Sequence, residues 1–204
     1  MTVTRVEPCG KTRYRIYLNG ESAFVLYKGE MKKLGIREGE SLSSDILETI
    51  YTDILYRRAR LRAMHLLEDM DRTEAGLREK LRQGEYPEAV TEKAVAYVRS
   101  FGYLDDVRYA ENFILSRRDS KSRREMEALL RKKGVSGTDI EQAFSNCYTE
   151  EGEAEAVRKI LRKKRFDPDS ADRAELQKIY GYLARKGFRY EIIRQVIQNP
   201  VEDA

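Results

Sequence analysis

Two carboxylates and one imidazole are the residues of this sequence best suited by type to catalysis. Asp105 and Asp106 are adjacent, and neighbouring carboxylates can share acid and base roles because their pKa values move apart. An acidic pair at a helix start also serves simply as a cap for free backbone N–H groups, and no nucleophile or metal-ligand cluster accompanies it. His65 lies beside apolar residues without a Ser or Cys partner. We therefore predict a helix cap at Asp105 and no enzyme activity.

The sulfur and imidazole ligands are too few for a zinc site. Cys9 and Cys147 form no C-x-x-C pair, and His65 is the only histidine, so one chain cannot assemble a Cys/His zinc cluster. Counting leaves a carboxylate-held Mg²⁺ open, but there is no D-x-D-x-D-G loop and no Gly-rich phosphate cradle. We predict no metal site, no cofactor and, in a reducing compartment, no disulfide.

Basic side chains are the strongest candidates for contact with a partner. The net charge is +4 over 204 residues, and the positive excess falls after residue 56. No acid occurs between residues 158 and 165, although like charges at i, i+4 oppose a helix by about 0.2 to 0.5 kcal/mol per pair. A solvated face would be the plainest explanation, whereas a DNA-bearing filament or an acidic protein groove would gain from such clusters. The predicted contact residues are Arg57, Arg58, Arg60, Arg62, Arg117, Arg118, Lys121, Arg123, Arg124, Arg131, Lys132, Lys133, Arg158, Lys159, Arg162, Lys163, Lys164, Arg165, Arg185 and Lys186.

The first forty residues, which must position part of this charge, are typical of β structure. Two aromatic and β-branched runs flank Asn19-Gly20, and both residues of such a pair tolerate positive φ, so we predict a β-hairpin. Residues 2–7 are expected to add a third strand. A short helix over residues 30–34 should end at Gly35. From Ser43 onward the apolar spacing becomes helical and continues without a breaker.

The rest of the chain contains three weak copies of one pattern. Helices that end in Leu plus basic residues are followed by Gly84, Gly134 and Gly187, which we expect to be left-handed caps. The residues six and ten positions after each glycine are apolar, as are the residues that open each copy. Small units of this kind must stack to bury enough area, so we predict a mainly α protein with three tandem three-helix repeats in an elongated, curved array. The expected segments are a β-hairpin element at 1–42, a linking helix at 43–56, repeats at 57–104, 105–149 and 150–198, and a tail at 199–204.

Several motifs of the repeats resemble those of the RecX regulatory proteins. They are "GYLDD-x-x-YA" over 102–110, the Leu-plus-basic ends before Gly84 and Gly134, and "RKGF" over 185–188 followed by Ile192 and Ile193. The resemblance covers residues 57–198, and the first copy departs from it because Leu81 lies only three residues before its glycine. It implies a non-enzymatic modulator of the RecA recombinase. Such a protein would bind in the groove of the RecA filament on DNA, restrain ATP hydrolysis and strand exchange, and so affect recombination, DNA repair and the SOS response.

Other interpretations of the sequence predict different behaviour. A helix-turn-helix transcription factor would prefer one duplex sequence, and a nuclease or phosphotransferase built on Asp105 and Asp106 would turn over with Mg²⁺. One or two of the aromatic residues could stack on exposed bases, but spacing alone does not select them. No apolar run approaches the about 20 residues that span a bilayer, and no signal segment follows residue 1. We expect a cytoplasmic monomer whose DNA binding is weak and sequence-independent, with inhibition residing in residues 57–198 and surviving deletion of 1–42.

Overall fold

The computed structural model describes residues 1–198, so the predicted tail at 199–204 lies outside the described residues. The chain divides into two compact units, residues 1–104 and residues 105–204. Unit 1 contains β1 (Val3–Pro8), β2 (Arg13–Leu18), β3 (Glu21–Tyr27), α1 (Lys28–Leu34), α2 (Ser44–Thr49), a π-helical segment (Ile50–Tyr56), α3 (Arg57–Asp69), α4 (Glu74–Gln83) and α5 (Glu88–Ser100). Unit 2 contains α6 (Asp106–Arg117), α7 (Arg123–Lys132), α8 (Gly137–Cys147), α9 (Glu150–Lys164), α10 (Arg173–Lys186) and α11 (Tyr190–Gln198).

The predicted hairpin and third strand are confirmed as an antiparallel sheet in the order β1-β2-β3. Asn19 and Gly20 both have positive φ, 51° and 93°, as the tight turn requires. The sheet buries Ile16, Phe24 and Leu26 on one face. The short helix α1 ends at Gly35, whose φ of 66° is left-handed, as predicted.

The helix that follows is one continuous rod with an irregular middle. Ser43 caps its start by accepting a hydrogen bond from the N–H of Ile46, and α2, the π segment and α3 follow one another without a break. The hydroxyls of Thr49 and Thr52 donate to the carbonyls of Asp45 and Glu48. Such bonds compete with the helical ladder and accompany local distortion, and the sequence pattern did not predict the π turns.

One hydrophobic core joins the sheet to the first three-helix repeat. Buried side chains from β2 and β3 belong to the same cluster as Ile50 and Leu55 of the π segment and as Leu77 and Val98 of the repeat. Residues 1–42 are therefore part of the fold of unit 1. Burial of this apolar surface is the main stabilising contribution to such a unit.

Unit 2 has two hydrophobic cores, one for each of its repeats. Phe113, Met126 and Phe144 are in the core of α6 to α8, and Val157 and Ile193 are in the core of α9 to α11. The positions six and ten residues after each repeat glycine are buried in all three repeats, as the pattern predicted: Val90, Ala94, Ile140, Phe144, Ile193 and Ile197.

The glycine prediction is confirmed at two repeats and wrong at the first. Gly134 and Gly187 have φ of 83° and 94°, but Gly84 has φ of −77° and the left-handed residue is Glu85. The cap is measured from the preceding leucine: the N–H of Tyr86, five residues after Leu81, donates to the leucine carbonyl. Because Gly84 comes one residue early, the strained conformation falls on a glutamate.

Candidate functional site

Many of the predicted contact residues are neutralised within the chain. Arg123 bonds Glu141 at 2.6 Å, and Arg158 bonds Glu151 at 3.0 Å. The other acid-paired members of the set are Arg58 (Glu30), Lys121 (Glu125), Lys159 (Asp119) and Arg162 (Glu155). The stretch from 158 to 165 contains no acid of its own, but acids at 151, 155 and 119 lie beside it, so sequence distance overstated its unbalanced charge.

Arg58 has a structural position between α3 and the sheet. Its Nη2 donates to the carbonyl of Val25 at 2.7 Å, and its guanidinium lies 4.8 Å from the centre of the Tyr27 ring. A cavity of about 280 Å³ adjoins it, lined also by Arg62 and Glu85. Since the Glu85 carboxylate already accepts from Arg13 and Arg15, this region is largely charge-balanced.

A second group of the predicted residues remains available to a partner. Within residues 1–198 the following form no ion pair: Arg57, Arg60, Arg62, Arg117, Arg118, Arg124, Arg131, Lys132, Lys163, Lys164, Arg165, Arg185 and Lys186. Lys133 lies 6.0 Å from the centre of the Tyr109 ring. These side chains are the ones whose charge is not already offset by an acid of the chain.

The ends of α9 and α10 bring several of these cations together around Tyr182. The ammonium groups of Lys164 and Lys186 lie 4.1 Å and 5.6 Å from the centre of the Tyr182 ring. We call the adjoining concavity of about 560 Å³ the Tyr182 groove; Lys164, Arg165, Phe166, Lys178 and Tyr182 line it together with the acids Asp167 and Glu175. Cations over an aromatic floor suit a phosphate and base or an acidic protein surface.

Local structure explains why this groove forms. Helix α9 ends at Arg165, which adopts the left-handed conformation with φ of 53°, and the N–H of Phe166 donates to the carbonyl of Leu161. Lysine and arginine in a last helical turn interact favourably with the helix dipole. The earlier turns are balanced by Glu155: burial raises the pKa of its carboxyl, but hydrogen bonds from Arg158 and Arg162 outweigh it, and the pKa is lowered.

The residues considered for catalysis have structural surroundings. Asp105 caps α6 by accepting a hydrogen bond from the N–H of Arg108 at 3.0 Å, as predicted. His65 is exposed, with Nδ1 3.8 Å from Glu68. Cys9 and Cys147 are free thiols, and burial raises the pKa of Cys147. Among residues 1–198, no group of three His, Cys, Asp or Glu side chains could hold a metal ion.

No helix within the described part of the chain is long and apolar enough to cross a membrane.

Two features escaped the sequence reasoning. Glu153, expected on an acidic first turn, is 1% exposed and accepts hydrogen bonds from the backbone and guanidinium of Arg189. Tyr182 was not singled out, because only the fold brings the ends of α9 and α10 to the same ring. No spacing rule reveals contacts between residues this far apart.

The order of the repeats matches one protein family. Models of the first, second and third three-helix domains of RecX match residues 59–97, 105–143 and 151–197. A "Regulatory protein RecX" of Caldanaerobacter subterraneus is 30% identical over 97% of this chain and 98% of its own length. This chain belongs to the RecX family. The resemblance seen in the repeat motifs is thus confirmed, as is the mainly helical fold with three tandem three-helix domains and an N-terminal sheet.

Other RecX proteins show how much of the chain is shared. A "Regulatory protein RecX" of Trichlorobacter lovleyi is 33% identical over 68% of this chain and 92% of its own length. A crystal structure of regulatory protein RecX, 26% identical, covers 97% of this chain and 98% of its own, with a TM-score of 0.63. The latter match includes the N-terminal sheet, which the motif comparison over residues 57–198 did not cover.

Proposed function

We propose that this RecX protein is a non-enzymatic regulator that binds the RecA filament on DNA and inhibits ATP hydrolysis and strand exchange by RecA. The observation that carries the proposal is the match to all three RecX domains in order, in a chain whose relatives are named regulatory proteins. It would thereby modulate recombination, DNA repair and the SOS response. We take it to act as a cytoplasmic monomer.

The basic residues that no acid of the chain neutralises give the proposal a physical mechanism. The Tyr182 groove offers Lys164 and Arg165 to DNA phosphates or to acidic residues of RecA, and such contacts gain from the release of counterions. We further propose that the repeats at 57–104, 105–149 and 150–198 engage more than one RecA protomer. A regulator that bridges protomers in this way would hold the filament in a less active state.

A RecA ATPase assay on single-stranded DNA tests the proposal. Purified protein is titrated in, and we expect inhibition at less than one molecule per RecA monomer because one chain would restrain several protomers. An unchanged rate at equimolar protein would refute the proposal. A strong preference for one duplex sequence in a parallel DNA-binding assay would instead favour the helix-turn-helix transcription regulator.

A further inference from the structure

Three aromatic rings form a continuous row at the end of α5. The ring centre of Tyr97 lies 4.9 Å from that of Phe101, and the ring centre of Phe101 lies 6.0 Å from that of Tyr103. The planes of Phe101 and Tyr103 differ by only 15°. Phe101 is 58% exposed and Tyr103 is 54% exposed, so the outer two rings are open to solvent. We call these three residues the aromatic row.

The turn that follows α5 fixes the two outer rings. Gly102 has φ of 70°, a conformation that other residues rarely adopt, and the N–H of Tyr103 donates to the carbonyl of Val98 at 3.1 Å. Val98 and Leu104 are buried on either side of this turn. The exposed rings are therefore held by buried anchors, and a ligand that stacks on them would lose little conformational freedom in the protein.

A cation extends the row at its inner end. The guanidinium of Arg60 lies 4.9 Å from the centre of the Tyr97 ring and 6.0 Å from that of Tyr56. Arg60 forms no ion pair with any acid in residues 1–198. The surface thus presents one available positive charge followed by three rings, the last two of them open.

We propose that Phe101 and Tyr103 form a stacking site for unpaired bases of single-stranded DNA, with Arg60 bound to the adjoining phosphate. Every base has a π face, so stacking on aromatic side chains tolerates any sequence, and the arginine matches the charge of the backbone. Bases within a duplex already stack on each other and cannot reach the rings. This inference rests on the DNA contact of the proposed function and assigns it to particular residues in the first repeat.

Fluorescence anisotropy with the full-length protein and no RecA tests the site directly. The probes are a labelled oligo-dT and a labelled hairpin duplex of equal charge. Stacking contributes about 1 to 3 kcal/mol per base, so Phe101→Ala and Tyr103→Ala should each raise the Kd for oligo-dT about 5- to 150-fold. The Kd for the duplex should change less than about twofold. Phe101→Tyr and Tyr103→Phe, which keep the rings, should retain the affinity of the unmodified protein.

Matched controls separate stacking from loss of apolar surface. Met70→Ala and Leu115→Ala remove exposed apolar side chains outside the row and should leave both affinities unchanged. The chain has no tryptophan, so Phe101→Trp supplies a single indole reporter whose fluorescence should be quenched by oligo-dT and not by the duplex. This reporter keeps the proposal testable if an alanine variant fails to fold by circular dichroism.

The possible failures are distinguishable. Equal weakening of oligo-dT and duplex binding, or no quenching of the indole fluorescence in the Phe101→Trp variant, would overturn the stacking site. Intact oligo-dT binding by the alanine variants together with lost inhibition of RecA would also overturn it and identify a protein contact. If stacking occurs while the unmodified protein leaves the RecA ATPase unchanged, the proposed function fails and the stacking site stands.

Discussion

The hydroxyl of Ser122 donates a hydrogen bond to the backbone carbonyl of Lys186, 2.6 Å away. The same oxygen caps α7 by accepting from the N–H of Glu125 at 3.2 Å, and the side chain is fully buried. One serine thus joins the start of a helix in the second repeat to the end of a helix in the third. Both repeats belong to unit 2.

Ser122→Ala should destabilise unit 2 by about 2 kcal/mol, because it removes a helix cap and leaves a carbonyl without its donor. Ser136 is the control: it caps α8 in the same way, from an exposed position, without a bond to another repeat. Ser136→Ala should cost only about 1 kcal/mol. Urea unfolding followed by circular dichroism measures both, and equal losses would argue against the added role of Ser122.

Arg189→Ala should destabilise the third repeat strongly. Arg189 Nε lies 2.9 Å from Glu153 Oε2, and removal of the guanidinium leaves a buried carboxylate with the backbone N–H as its remaining donor. We expect a loss of about 3 kcal/mol. Arg194, which contacts Gln198 in the same helix, is the matched control, and Arg194→Ala should change stability by less than about 0.5 kcal/mol. A lower urea midpoint for Arg189→Ala alone is the expected result.

The Tyr182 groove should govern the salt dependence of DNA binding. Replacing Lys164 and Arg165 by Gln should make the slope of log K against log salt shallower by about 1.4 on single-stranded DNA, or about 0.7 per phosphate no longer neutralised. The control removes two charges that acids already balance, Arg5 (Glu7) and Arg82 (Glu88). If both double variants flatten the slope equally, net charge matters and the groove does not.

Acid should weaken the link between Asp119 and Lys159. The hydrogen bond from Lys159 holds the pKa of the Asp119 carboxyl below its ordinary value of 3.8. Its contribution to stability is therefore complete above that value and is lost as the pH falls through the lowered pKa of the folded protein. Asp119→Asn should reduce the stability difference between about pH 6 and about pH 3 in urea titrations. Asp169→Asn, at an exposed acid without an ion pair in residues 1–198, should leave that difference as it is.

Deletion of residues 1–42 should unfold the first repeat, contrary to the expectation from sequence. The sheet shares its core with Ile50, Leu55 and Leu77, so its loss exposes apolar surface throughout unit 1. Residues 105–204 have cores of their own and should remain helical as a separate fragment. Hydrogen exchange of the deletion variant should show rapid exchange before residue 104 and protection after it. Uniform protection would restore the original expectation.

Sequence reasoning succeeded where structure is local and periodic. The buried positions Val90, Ile140 and Ile193 and the turn at Asn19-Gly20 follow from helix and hairpin geometry over a few residues. It failed where a side chain finds its partner far along the chain. Arg58 was taken for a surface contact, but it donates to a carbonyl 33 residues away. The basic set could be predicted as a set, whereas its division into balanced and available charges required the fold.

The π segment makes the length of the chain at residues 50–56 a structural variable in its own right. A π turn holds one residue more than an α turn, and each residue of an α-helix advances by about 100°. A deletion of one residue there, for example Thr52, would restore a regular helix and rotate everything before it by about that angle relative to α3. Every side chain of the sheet and the repeat would be retained, yet their apolar faces would no longer meet. Single-residue insertions and deletions should therefore be far less tolerated at this position than most substitutions of its exposed residues.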